Sequence, residues 1–415
     1  MAQIDVLFLL VGAAVVLLSF GARVIRQRLW ISEPLAALAL GASLGPAGLG
    51  WVDVPVSDRQ VPILEHAARL TVALSIMGVA LRLPDDYLRR RWRQLLIMLI
   101  VVMPLMWLLA SVAAFIALGL SPLLALWLGA VVTPTDPVLA DAIVTGDLAE
   151  RSIDEEVRRL ISAEAGANDG LAFLLVMLPV TFMQASPWEA LGRWIREVLL
   201  IQVALAVAIG AASGWGVGRL IRAATSRNEP DATPHLAVLA ALAVALLGGV
   251  KLLHSDGLVA VFAAGLAFNA VVGDGRLRRQ REIQEVITRF FDAPVFILFG
   301  LWLPVDGWRE LGAPGLAFAA LVLLLRRLPV VVLLRRLLGP IGTLPQALFT
   351  GWFGPVGAAA LVYATWAQSH AHRREIWVAG SLVVCASVIV HGLTATPFTR
   401  AYARSRRDHT AGQPG

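Results

Sequence analysis

Apolar stretches of membrane-crossing length alternate with short polar connections along nearly the whole chain. By length and by the punctuation between them they fall near 4–20, 30–49, 63–81, 94–118, 122–144 and 158–184, then 194–218, 234–253, 256–272, 283–303, 312–337, 345–367 and 376–398. Some twenty consecutive apolar residues cross a bilayer as a helix, so the pattern predicts an all-α polytopic membrane protein of about thirteen transmembrane helices. The first run lacks a basic leader and a small-residue cleavage site, and reads as a span.

Two runs are interrupted alike. The fifth carries Thr133-Pro134-Thr135-Asp136-Pro137, and the twelfth carries Gly351-Trp352-Phe353-Gly354-Pro355-Val356-Gly357. Non-helical backbone at membrane depth is tolerated only where it faces protein or water, and broken helices at corresponding places point to a transporter built from repeats. Helices one to six and eight to thirteen make two six-helix units, and the linking seventh inverts the second. The expected organisation is one transmembrane domain over 1–415. Its first repeat covers about 1–185, its linker helix about 188–222 and its second repeat about 234–400, with a short cytoplasmic tail at 401–415.

Composition agrees: 58% of residues are hydrophobic and 15% charged, below the charge content of soluble domains. The single cysteine, Cys385, excludes a disulfide framework and a cysteine metal cluster. A net charge of +6 would suggest nucleic acid in a soluble protein, but here the cations sit between the apolar runs and act as topology signals. Arg23, Arg26 and Arg28, the cluster from Arg89 to Arg93, Arg151, Arg158, Arg159, Arg219, Arg222, Arg227, the cluster from Arg276 to Arg281 and the tail from Arg400 all fall on one side. That side is expected to be the cytoplasm, with the N-terminus outside and the C-terminus inside. Arg373 and Arg374 are the exception on the opposite face. No glycine loop for phosphate binding occurs, so the chain is expected to run on gradients or passively, as a transporter and not an enzyme, and without a cofactor.

Ionisable side chains at bilayer depth cost roughly 2.5–3.5 kcal/mol each, so each needs a partner or a function. The candidates are Asp136 in the fifth run, Glu164 and Asp169 in the sixth, Arg289 and Asp292 in the tenth, and Arg326 and Arg327 in the eleventh. Pro137 lacks an N–H and leaves carbonyls near residues 133 and 134 without helical donors. Free carbonyls, the Asp136 carboxylate and Thr135 make an oxygen-only set suited to a hard cation, while the plainer role for Asp136 is a helix cap. In the sixth run, Ser162-Ala163-Glu164-Ala165-Gly166-Ala167-Asn168-Asp169-Gly170 surrounds polar residues with small ones that admit a neighbouring helix. At 3.6 residues per turn Asp169 lies about 140° from Glu164 and Asn168 only about 40° from it. The two carboxylates face different neighbours: one meets the break of the fifth helix, and the other, Glu164, has Arg326 or Arg327 as its cation. Two carboxylates in one apolar pocket cannot both ionise cheaply, so protons compete with a metal ion for the same oxygens.

These residues resemble the NhaP-like sodium/proton antiporters, the mostly electroneutral branch of the monovalent cation:proton antiporters. Thr135-Asp136-Pro137 resembles the family's Thr-Asp motif, Asn168-Asp169 its Asn-Asp pair, Glu164 its arginine-paired glutamate, and Arg326-Arg327-Leu328-Pro329-Val330 its Arg-x-Leu-x-Val, with Arg327 as a one-residue alternative to Arg326. Gly41 to Gly48, Gly351 to Gly357 and His391-Gly392-Leu393-Thr394 are also similar, so the resemblance covers nearly the whole chain.

The resemblance implies a homodimer in the plasma membrane, with a transport bundle moving against a dimerisation domain. It implies exchange of one Na+ or Li+ for one H+ at Asp136 and Asp169, with main-chain oxygen from Thr135. Asn168, Glu164 and Arg326 shape the site. Ala165 replaces a serine that supplies oxygen in some relatives, which keeps K+/H+ exchange open, and Val356 stands where many bacterial relatives carry arginine. A passive channel and a sodium-coupled solute symporter are the rival readings.

Overall fold

The structure, a computed structural model, describes residues 9, 11–18, 20–21, 31–51, 60–84, 86–225, 236–253, 255–273, 288 and 290–411. The connections carrying Arg23 to Arg28, Arg227 and Arg276 to Arg281, together with Arg289, lie outside the described residues. Among the described residues every regular element is helical.

After a helical stretch at 11–18 come α1 (Glu33–Leu44), α2 (Gln60–Arg82), α3 (Arg89–Leu118), α4 (Pro122–Val131) and α5 (Pro137–Val144). A short helix, Gly146–Ser152, leads to α6 (Glu155–Phe182), α7 (Pro187–Ala223), α8 (Leu236–Leu252), α9 (Gly257–Val272) and α10 (Phe290–Leu301). The chain closes with α11 (Val305–Leu325), α12 (Leu328–Leu334), α13 (Leu344–Trp352), α14 (Ala358–Ala371) and α15 (Arg374–Ala411). Among the described residues six stretches are long and apolar enough to cross a membrane on their own: α2, α3, α6, α7, Val305–Leu337 and Arg374–Ser405. Shorter apolar helices such as α1, α4, α9 and α10 pack among them.

The boundaries follow local chemistry. Pro122 and Pro137 open α4 and α5, where a missing N–H leaves no helical bond unmade. The Asp256 carboxylate accepts from the Leu258 and Val259 N–H groups at 2.9 Å and starts α9. Thr343 and Gln346 close a reciprocal capping box at the start of α13. Pro104 follows a π-helical turn, Met98–Val102, inside α3.

Helices are held together by glycine contacts. On α7, Gly210 and Gly214 lie so close to the Ala260 and Ala264 carbonyls of α9 that a Cβ at either would collide with that backbone. Gly41 on α1 meets the backbone of Ile297 on α10 in the same way, and Gly300 on α10 meets that of Leu38. Close backbone approach replaces the hydrophobic drive that lipid cannot supply. Outward faces are apolar, with Ile100, Val112 and Ile116 on α3 and Leu200, Trp215 and Leu220 on α7 all exposed, as lipid contact requires.

Three details differ from the sequence reading. Helix α11 begins at Val305, and its backbone kinks at Gly312 (φ 55°, ψ −140°) near the predicted start at 312. The eleventh run is itself broken: residues 326–327 interrupt it, and Pro329 opens α12 because it cannot donate back to the preceding turn. Helix α15 continues to Ala411, through most of the stretch expected as a tail.

Candidate ion-transport site

The two interrupted spans meet in the middle of the protein. The Asp136 N–H donates to the Pro355 carbonyl at 2.8 Å, tying the break at 132–136 to the break at 353–357. The Asp136 carboxylate caps both second halves. Its Oδ1 accepts from the Val138 and Leu139 N–H groups of α5, at 2.7 and 3.2 Å, and its Oδ2 accepts from the Ala358 N–H of α14. Two helix N-termini converge on one buried carboxylate, a favourable arrangement for negative charge. Gly357 makes this possible, because a Cβ there would overlap the Asp136 carboxylate. Serine and histidine on α15 brace the second break: the Val356 N–H donates to Ser387 Oγ at 2.8 Å, and His391 lies 3.1 Å from that oxygen and 3.0 Å from the Trp352 carbonyl.

Arg326 fills the carbonyl side of the breaks. Its guanidinium donates to the carbonyls of Val132, of Thr133 at 2.7 Å, of Pro134 at 3.2 Å and of Gly354. This corrects one expectation and settles a choice that the sequence left open. The carbonyls freed by the prolines near 133 and 134 are taken by Arg326 rather than left open for a cation. Nor does Arg326 hold Glu164: the buried ion pair is Arg327 Nη1 to Glu164 Oε1 at 2.7 Å, with both side chains at most 2% exposed. Arg327 Nε also donates to the Thr350 carbonyl at 3.2 Å. The interruption at 326–327 accounts for the difference. Where the helix is broken, consecutive side chains separate, one toward α4 and the other toward α6 and α13. Gly354 admits the Arg327 side chain, which a Cβ at that position would strike.

Helix α6 faces the same centre. Asn168 Nδ2 donates to Thr135 Oγ1 and to Glu164 Oε1, each at 2.7 Å, and Asn168 Oδ1 accepts from the Thr135 N–H at 3.2 Å. The Thr135 hydroxyl donates to Glu164 Oε2 at 3.2 Å. Asn168 therefore braces the break of the fifth span to α6, and Glu164, Asn168, Thr135 and Arg327 form one buried network. Asp169 stands apart. It is fully buried, and neither carboxylate oxygen accepts a hydrogen bond. Asp136 and Glu164 are the carboxylates near enough to act on it electrostatically.

Of the residues singled out in the sequence, Thr135, Glu164, Asn168 and Arg327 share one hydrogen-bonded network, Asp136 and Arg326 tie the two breaks together, and the Asp169 carboxylate bonds to neither group. Sequence reasoning missed Tyr363 on α14, whose hydroxyl donates to the Asp169 carbonyl at 2.7 Å. Its only signal was a tyrosine in an otherwise small and apolar stretch. Asp292 on α10, flagged in the sequence, is buried at one oxygen without a hydrogen bond and lies outside this network.

With this geometry in view, comparisons with known proteins agree. The transmembrane sodium/hydrogen exchanger family pattern matches residues 11–401, and the chain belongs to that family. A Na+/H+ antiporter of Saccharomyces cerevisiae is 30% identical over 353 residues, covering 83% of this chain and 36% of that protein. Na+/H+ antiporter 2 of Zygosaccharomyces rouxii is 27% identical over 402 residues, covering 89% of this chain and 49% of that protein. The chain thus spans half or less of the length of these two relatives. The sodium proton antiporter MjNhaP1 of Methanocaldococcus jannaschii shares the fold, with a TM-score of 0.73 over 97% of both chains at 18% identity.

Proposed function

We propose that this protein is a secondary antiporter of the plasma membrane that exchanges Na+ or Li+ for H+ electroneutrally, by alternating access, with ion and proton competing at Asp169 beside Asp136. The observation that carries this reading is the Asp169 carboxylate, buried at membrane depth with no hydrogen-bond donor on either oxygen. Such a group is costly unless a cation or proton joins it, and one group serving both in turn is the minimal exchanger. Asp136, fixed by three backbone N–H groups, adds negative charge next to it and can lend a remaining lone pair, while main-chain oxygen from Thr135 and water complete a shell of oxygen ligands. Glu164, Asn168 and Arg327 hold the site's walls and Arg326 its broken backbone. A dimer, with the C-terminus in the cytoplasm, belongs to the same reading.

K+/H+ exchange is the second reading. Ala165 lies one helical turn before Asp169 and offers no oxygen there, which loosens the demand for a small ion. Purified protein in liposomes carrying a pH-sensitive dye tests both. Addition of Na+ or Li+ should dissipate an imposed pH gradient, and Asp169→Asn should abolish the response while leaving the protein folded. A response to K+ alone selects the second reading. No response to any of the three cations from folded protein ends both.

A further inference from the structure

A second cluster of ionisable groups lies beyond Tyr363, toward the face that the arginine distribution assigns to the outside. There a cavity of about 100 Å3 is lined by Glu65, Arg69, Lys251, Asp256, Tyr363 and Trp366, with room for several waters. Glu65, on α2, is 1% exposed, and neither of its carboxylate oxygens accepts a hydrogen bond. Its ion-pair contact is His370 Nδ1, 3.7 Å from Oε2. The His370 side chain is 48% exposed and stacks on Trp366, at 5.7 Å between ring centroids and 18° between planes. A surface imidazole therefore leads to a buried carboxylate, the carboxylate to a water-sized cavity, and the cavity to a tyrosine bonded to the main chain of Asp169.

We propose that Glu65 and His370 form a proton-accepting way-station, separate from the transport site, that takes protons from the outer face and passes them through cavity water to Asp169. This rests on the antiport reading above and adds the route by which one of the two ions arrives. The steps balance. Protonated His370 gives the proton on Nδ1 to Glu65 Oε2, leaving a neutral imidazole and a neutral carboxyl group. Glu65 passes that proton to cavity water, which restores the Glu65 carboxylate, and the hydrated proton neutralises Asp169 once the site, closed off from the cavity here, opens toward it.

Several features favour a proton over a metal ion here. The charged groups facing Glu65 are Arg69 on its own helix, Lys251 and Asp256 at the α8–α9 connection and His370 on α14, with Tyr363 as a neutral wall. Two carboxylates against two fixed cations give no net negative field to gather metal ions. One oxygen of Asp256 is also committed to capping α9. A relayed proton needs neither a net field nor a set of ligands. Imidazole and carboxylate are also side chains suited to handing a proton on near neutral pH.

The test is exchange by the full chain in liposomes, with pH varied separately on each face. Glu65→Gln and His370→Gln should each slow exchange several-fold at alkaline outer pH, where protons are scarce and the relay gathers them, and leave it little changed at acid outer pH. The dependence at the other face and the half-saturating Na+ concentration should stay as in the unaltered protein. His370→Gln alters a half-exposed side chain, so it carries the test if Glu65→Gln fails to fold. Unchanged profiles, or equal slowing at every pH on both faces, would overturn the way-station while exchange by the unaltered protein upheld the antiport reading. If the unaltered protein exchanges nothing, both fall.

Discussion

On one helix, little more than a turn apart, two buried carboxylates meet opposite fates. Glu164 is satisfied by Arg327, Asn168 and Thr135, whereas Asp169 has no donor at all. Breaking a buried ion pair by removing one partner leaves an uncompensated charge, at a cost of about 3–5 kcal/mol. Arg327→Ala should therefore lower the melting temperature in detergent strongly, and Glu164→Gln in the same chain should restore part of the loss. Arg326→Ala should be destabilising by another route, through four carbonyls left without donors, and Glu164→Gln should not rescue it. Rescue of Arg326→Ala instead would return the pairing to Arg326. The ambiguity between the two arginines has a physical origin. Sequence periodicity assigns faces only along a continuous helix, and the chain is broken at 326–327. What remained readable were the polar residues of α6, because that helix is regular and its 3.6-residue period places Asn168 near Glu164 and turns Asp169 away.

At the scale of elements, the two broken spans act as a single knot whose tightness depends on a side chain that is absent. Gly357→Ala would thrust a methyl group into the Asp136 carboxylate and detach the cap from α14. Charge-assisted caps of this kind contribute roughly 1.5–3 kcal/mol per hydrogen bond, so the variant should lose exchange and melt at a lower temperature. Gly249→Ala, on α8 with open space around the added methyl, should be unchanged in activity and no less stable. Equal behaviour of the two variants in a thermal melt and a dye assay would dismiss the knot. The breaks themselves were legible, because clustered proline and glycine remove donors and stiffness that a continuous spanning helix needs. Their mutual engagement was not legible, since nothing in either segment alone records that Pro355 accepts from Asp136 or that Ala358 donates to it. The third interruption, before Pro329, was passed over because leucines and valines surround it and hide the lost donor inside an apolar run.

For the whole molecule, the balance of fixed charge sets how the exchange proposed above should respond to voltage. Glu164 is neutralised by Arg327, and the Arg326 guanidinium offsets the Asp136 carboxylate within the same crossing of broken helices. That leaves Asp169 as the one site carboxylate without a fixed partner among the described residues, and asparagine at 168 adds no second one. A single carboxylate is neutralised equally by one proton or one monovalent cation, so on the antiport reading proposed above both loaded forms carry the same charge. Each cycle should then transfer no net charge across the membrane. Were one charge moved per cycle, a potential of 100 mV would bias exchange by about 2.3 kcal/mol, a shift in the balance point too large to overlook. In liposomes clamped by a potassium gradient and an ionophore, the Na+ gradient that just balances a given pH gradient should be the same at 0 and at about −100 mV. Asn168→Asp adds a second carboxylate beside Asp169. In that variant the balance point should begin to move with voltage, because a second proton can accompany each turnover. Voltage dependence already present in the unaltered protein would mean that Asp136, despite its three backbone donors, also takes up and releases a proton during the cycle.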